Sequence, residues 1–83
     1  MSDKKLLKQF GQRIRDLRQA KGWSQEQLAD ETGFHRTYIG MVERGERNLS
    51  LSNVAVFAKT FEMSVSELLD FNREHITTPR KKL

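Results

Sequence analysis

The chain has 83 residues, of which 36% are hydrophobic and 31% charged, with a formal net charge of +4 and no cysteine. That length holds one small domain, the composition is that of a folded chain, and the missing thiols exclude a disulfide framework and a thiolate metal site. The opening MSDKKLLKQF has no apolar run of signal-peptide length and no stretch approaches a membrane span, so the expected location is the cytoplasm, with no membrane partner.

Asp3 is placed to cap a first helix over residues 4–21, with Leu6, Phe10, Ile14 and Leu17 as its apolar stripe and Gly22 closing it. Lys4, Lys5, Lys8, Arg13 and Arg15 then fall mostly on the wet side. Trp23 packs at the junction to the next helix, the alternative for its ring being a stacking platform for bases. Ser24 and Gln27 have the spacing of a capping box ahead of a second helix, 25–32, whose small apolar face is Leu28 and Ala29. Gly33 ends it, where a residue at positive φ is wanted. Past Phe34 and His35, a third helix over 36–44 buries Ile39 and Val42 and carries Arg36, Thr37, Tyr38, Gly40, Met41 and Arg44 on its other face. Gly45 is its stop.

Ser50 or Ser52 caps a fourth helix, 51–61, with Val54, Phe57, Ala58 and Phe61 inward and Val56 and Thr60 off that face. Met63 lies in the turn, and Ser64 with Glu67 is a second capping box, opening a fifth helix over 65–73 through Val65, Leu68 and Leu69 to Phe71 and Asn72. Residues 1–74 thus read as a single all-α domain of five helices. Residues 75–83, with the only proline, Pro79, read as a flexible basic tail.

Basic side chains concentrate in residues 3–21 and in Arg80, Lys81 and Lys82, whereas Glu26, Asp30 and Glu31 make the second helix acidic. Such a balance attracts polyanions, nucleic acid above all, though a merely solvated surface has the same composition. Two short helices joined by a tight turn suit double-stranded DNA, because the second can enter the major groove, where each base pair shows its own donor and acceptor pattern. Its leading end here is His35-Arg36-Thr37. Arg36 suits a two-pronged bond to guanine O6 and N7, worth roughly 1–3 kcal/mol of discrimination. Thr37 offers a hydroxyl and a methyl. His35 reads a base or only caps the helix, Met41 meets a thymine methyl or stays exposed, and Tyr38 is open between base, phosphate and partial packing. At Gly40 the missing side chain is expected to let DNA come close, and Arg44, Arg47 and Asn48 suit phosphate oxygens.

At Gln25, Leu28-Ala29, Gly33, Tyr38-Ile39, Val42-Glu43, Arg44-Gly45 and Met63-Ser64-Val65-Ser66-Glu67-Leu68-Leu69, the chain resembles the XRE-like helix-turn-helix regulators of the phage repressor and Cro type. The resemblance spans roughly residues 8–70 and implies a compact lambda-repressor-like domain. Within that family, Arg36-Thr37-Tyr38-Ile39 and the run Glu43 to Leu49 are most similar to controller proteins of restriction–modification systems. The resemblance further implies a buried ion pair between Arg18 and Glu43, and a phosphate contact from Gln25, with Ser24 beside it at the head of the second helix. It also implies a homodimer on a palindromic operator, with Val56, Thr60 and Phe71 of the last two helices as interface candidates. RNA polymerase is a further candidate partner, through the acidic Glu26, Asp30 and Glu31.

An enzyme is the first rival, but His35 and His75 are far apart, the carboxylates sit on exposed faces and there is no glycine-rich phosphate loop. No catalytic residues, metal or cofactor are expected. The other rival is an antitoxin-like module that uses the same scaffold to hold a protein, with ITTPRKKL as a docking peptide. Arg36 and Arg44 favour DNA, since a protein-facing helix usually brings aromatic anchors.

Overall fold

A computed structural model describes residues 3–71, and these form five helices and no strand. They are α1 (Lys4–Ala20), α2 (Gln25–Thr32), α3 (Arg36–Glu43), α4 (Leu51–Thr60) and α5 (Val65–Leu68). The expected tail, 75–83, lies outside the described residues. Asp3 caps α1 through Lys5 N at 2.9 Å, and Ser50 caps α4 through Asn53 N at 3.1 Å. Both capping boxes are present: Gln27 N donates to Ser24 Oγ at 3.0 Å, and Glu67 N to Ser64 Oγ at 3.0 Å. Three helices end in the same way, with paired backbone bonds back into the last turn. In α3, Gly45 N reaches Val42 O and Glu46 N reaches Met41 O; in α4, Glu62 N reaches Lys59 O and Met63 N reaches Ala58 O.

The core is Phe10, Ile14, Leu28, Ile39, Val42, Val54, Phe57 and Leu68, none more than 2% exposed. Each such side chain contributes roughly 1.5–3 kcal/mol by leaving water. Phe10 of α1 meets Phe57 of α4 edge-on, with centroids 5.9 Å apart, and Trp23 stacks on Phe61 at the same separation. The inward stripe of α1 starts at Leu7 and not at Leu6, which is only half-buried. Adjacent leucines both satisfy a helical period, and the position of Gly11 decides between them. A Cβ at Gly11 would stand 2.4 Å from Val42 O and 2.6 Å from Glu43 O, so α1 turns this bare spot onto the backbone of α3.

The fifth helix is shorter than the 65–73 that its sequence predicts: it closes at Leu68, and Asn72 and Arg73 lie outside the described residues. Arg13 of α1 meets its closing end. Its Nε donates to Leu68 O at 3.0 Å and its Nη2 to Glu67 O at 2.9 Å. Those carbonyls would receive the next turn's amides if the helix continued. Arg13 is therefore a cap for α5, and not a side chain left to solvent. Beyond it, Phe71 folds back against the core.

Candidate nucleic-acid interface

The turn between α2 and α3 is held from within. Thr32 Oγ1 donates to Leu28 O at 2.9 Å and accepts from Phe34 N at 3.1 Å, and Gly33 takes φ 83°. His35 is the N-cap of α3, yet its side chain makes no capping bond and is exposed. The first-turn amides of α3 consequently keep their hydrogen-bonding capacity, at the positive end of the helix dipole. Arg36 and Thr37 are exposed beside them. In the protein alone, Arg36 Nε rests 3.4 Å from Glu26 Oε2. The Glu26 carboxyl is held below its ordinary range, first by a backbone amide at the head of α2 and then by Arg36.

Behind this surface sits Glu43, whose side chain is fully buried. Arg18 grips it with both prongs, Nε to Oε2 at 2.7 Å and Nη2 to Oε1 at 3.0 Å, and Arg18 Nη1 also donates to Trp23 O at 2.9 Å. The hydrogen bond to Glu43 outweighs burial and raises the Arg18 pKa, keeping the guanidinium charged. Gln25 Nε2 donates to Glu43 Oε1 at 3.0 Å, which sets the amide's orientation at the head of α2. One carboxylate thereby ties α1, α2 and α3 together.

Gly40 differs from its reading in the sequence as an open spot for DNA. It is buried, and a Cβ there would lie 3.3 Å from Arg44 Nη1, 3.4 Å from Arg36 Nη1 and 3.8 Å from Gln25 Oε1. The two guanidinium groups and the amide converge over it, so its small size admits side chains of this protein. Ser24 likewise commits its hydroxyl to the capping box.

Tyr38 is half-buried: its ring meets Phe34 edge-on at 5.0 Å and its hydroxyl accepts from Asn53 Nδ2 at 3.0 Å. The Arg47 guanidinium lies 5.1 Å from the same ring. Met41 is half-buried, while Arg44, Arg47 and Asn48 are exposed, Arg44 pairing with Glu46 at 3.1 Å. Val56 and Thr60 are half-buried on α4, and Phe71 packs on the core. Sequence reading missed Asn53 as the partner of Tyr38 and Glu26 as that of Arg36. Neither pair has a local spacing signal.

Among the described residues no group of His, Asp and Glu is arranged to hold a metal, and no helix is long and apolar enough to cross a membrane. A helix-turn-helix family model matches residues 14–68. The control protein C.BamHI of Bacillus amyloliquefaciens is 48% identical over 63 residues, 75% of this chain and 78% of that relative. The crystal structure of the restriction–modification controller protein C.AhdI from Aeromonas hydrophila superposes with a TM-score of 0.71 at 52% identity, covering 75% of this chain and 94% of that one. SinR, a master regulator of biofilm formation solved in complex with DNA, matches with a TM-score of 0.68 at 34% identity, covering 74% of this chain and 98% of that one.

Proposed function

We propose, because the chain belongs to the helix-turn-helix family of DNA-binding transcription regulators, that it is the controller of a restriction–modification system, acting in the cytoplasm as a homodimer on a palindromic operator. The observation that carries the reading is the leading end of α3: uncapped by its own side chain, with Arg36 and Thr37 exposed beside its first amides. Arg36 and Thr37 read base edges in the major groove, with His35, Tyr38 and Met41 around them. Gln25, Arg44, Arg47 and Asn48 hold phosphate oxygens and set the register. Gln25 is ready for this, because Glu43 engages only its Nε2 side. One helix reads too few base pairs for selectivity, so two copies take half-sites about 34–36 Å apart. Val56 and Thr60, outside the core on α4, are the interface candidates. Glu26, Asp30 and Glu31 on α2 are the candidates for RNA polymerase.

The test is duplex binding followed by fluorescence anisotropy, comparing a duplex selected from a random pool with the pool itself across a salt series. Affinity should fall with salt at a logarithmic slope of about −0.9 per neutralised phosphate. A flat response sinks the reading. Arg36→Ala should flatten the preference at one base position per half-site, by roughly 1–3 kcal/mol, while Gln25→Ala weakens selected and random duplexes alike.

Glu26→Gln should act in the opposite direction. It removes an exposed carboxylate that both holds Arg36 in the free protein and repels phosphate. Affinity for the selected duplex is expected to rise by up to about fivefold, the range of an exposed ion pair. No gain in the same anisotropy titration would mean that the Glu26 contact does not restrain Arg36.

A further inference from the structure

Beside α3, α1 from Lys4 to Arg15 and the segment following α3 flank two adjoining, open surface hollows of about 460 and 370 Å³, which share Lys8, Arg44 and Glu46. They form one groove because the loop runs directly against α1. Gly45 makes this possible: it takes φ 74°, and a Cβ there would stand 3.0 Å from Lys8 Cα. Along α1 the groove is lined by Lys4, Lys8, Gln12 and Arg15, all on one side of the helix. Lys4 and Lys8 are exposed, and among the described residues neither is ion-paired.

Arg15 adds a cation whose partner is already taken. Its Nε lies 3.6 Å from Glu43 Oε1 and makes no hydrogen bond within the protein, while Arg18 and Gln25 occupy that carboxylate. Arg44 belongs both to this groove and to the pair of guanidinium groups over Gly40. Basic side chains therefore follow one another from the exposed end of α3, across Arg44, into the groove, with Glu26 and Glu46 paired beside Arg36 and Arg44. Glu43 and Glu46 are the opposing charges: Glu43 is already held by Arg18, and the pair of Glu46 with Arg44 is half-exposed on both sides and readily exchanged for another anion.

We propose that this groove seats a phosphate strand of the bound duplex, with Lys4 and Lys8 as direct grips and Arg15 behind them. The proposal rests on the DNA-binding reading and adds a second contact surface to it. The spread of charge selects the occupant. From Lys4 to Arg15 is about 17 Å of helix axis at 1.5 Å per residue, which suits a line of anions and not a single one. Duplex DNA supplies such a line, one phosphate per 3.4 Å of axis on each strand. An acidic peptide offers charge as well, but the track's continuity with Arg36 and Arg44 favours the ligand that α3 already addresses.

The experiment compares full-length wild type, the double variant Lys4→Ala/Lys8→Ala, and Lys5→Ala/Lys59→Ala, which removes the same charge from outside the groove. Anisotropy titrations on the selected and random duplexes, over a salt series, read the slope and the ratio of affinities; melting curves check that all three proteins fold alike. The groove variant should bind roughly tenfold more weakly, with a slope shallower by up to about 1.8, two phosphates' worth. Its ratio of selected to random affinity should not change, because phosphate contacts carry no sequence information. The control pair should keep the wild-type slope. A groove variant indistinguishable from wild type, or matched by the control, overturns the groove and leaves the DNA reading standing. Wild type without salt-dependent binding overturns the DNA reading itself. Loss of binding to poly-glutamate with DNA binding intact also overturns the proposal, in favour of an acidic peptide.

Discussion

Glu43→Ala is expected to cost about 3–5 kcal/mol of folding stability, the range for removing one partner of a buried ion pair. The substitution leaves the Arg18 guanidinium in a site where its side chain is only 12% exposed. Arg18 has no neutral form to retreat to, since arginine stays protonated under any ordinary condition. Arg15 and Gln25 lose their contact at the same time. For a domain of this size such a loss should lower Tm by at least ~12 °C, read by thermal or urea denaturation. Glu46→Ala is the matched control, because its pair with Arg44 is half-exposed and worth no more than about 1 kcal/mol. A double change to apolar residues, Arg18→Met with Glu43→Leu, should recover much of the stability, since it strands neither member of the buried pair and leaves only the half-exposed Arg15 without its partner. It should still weaken DNA binding, because Gln25 would lose the acceptor that orients it. A Glu43→Ala protein within 1 kcal/mol of wild type would show that the three-helix junction does not depend on this carboxylate.

What the sequence disclosed is what short spacing encodes. Ser24 with Gln27, and Ser64 with Glu67, announce helix starts because a capping box is closed over three residues. Gly22, Gly33 and Gly45 announce stops because they occupy positive φ. The stop of α4 carries no such signal: Glu62 takes φ 59° with an ordinary side chain, held there by the same pair of backbone bonds that end α1 and α3. Contacts between distant parts of the chain were legible only through resemblance, as for Arg18 and Glu43, or not at all. Nothing local in the sequence says that Arg13 will cap carbonyls at Glu67 and Leu68, or that Asn53 will hold Tyr38. Gly11 and Gly40 show the same limit from another side. The letter G states that a side chain is missing, but whether a helix backbone, two guanidinium groups or a phosphate fills the space depends on the packing.

Gly11→Ala should destabilise the fold by about 3 kcal/mol, although alanine is the better helix former. Two effects of opposite sign meet there. In a helix interior, alanine is favoured over glycine by roughly 0.5–1 kcal/mol. Against this, the new methyl would stand 2.4 Å from Val42 O, 2.6 Å from Glu43 O and 2.9 Å from the Glu43 carbonyl carbon. All three are backbone atoms, so no rotamer change relieves the contact, and α3 must move as a body. Overpacking costs about 1–3 kcal/mol where side chains can adjust, and a backbone collision belongs at or beyond the upper end of that range. The displacement also pulls Glu43 away from Arg18, adding part of the loss argued for that pair. Because α3 carries Arg36 and Thr37, duplex affinity should fall together with denaturation stability. Gln12→Ala, one residue on and exposed, should change stability by no more than about 0.5 kcal/mol. If the alanine at position 11 instead gained the helix-propensity increment, α1 and α3 would have room between them that the 2.4 Å approach denies, and the spacing that sets the angle of α3 would have to come from the Glu43 junction alone.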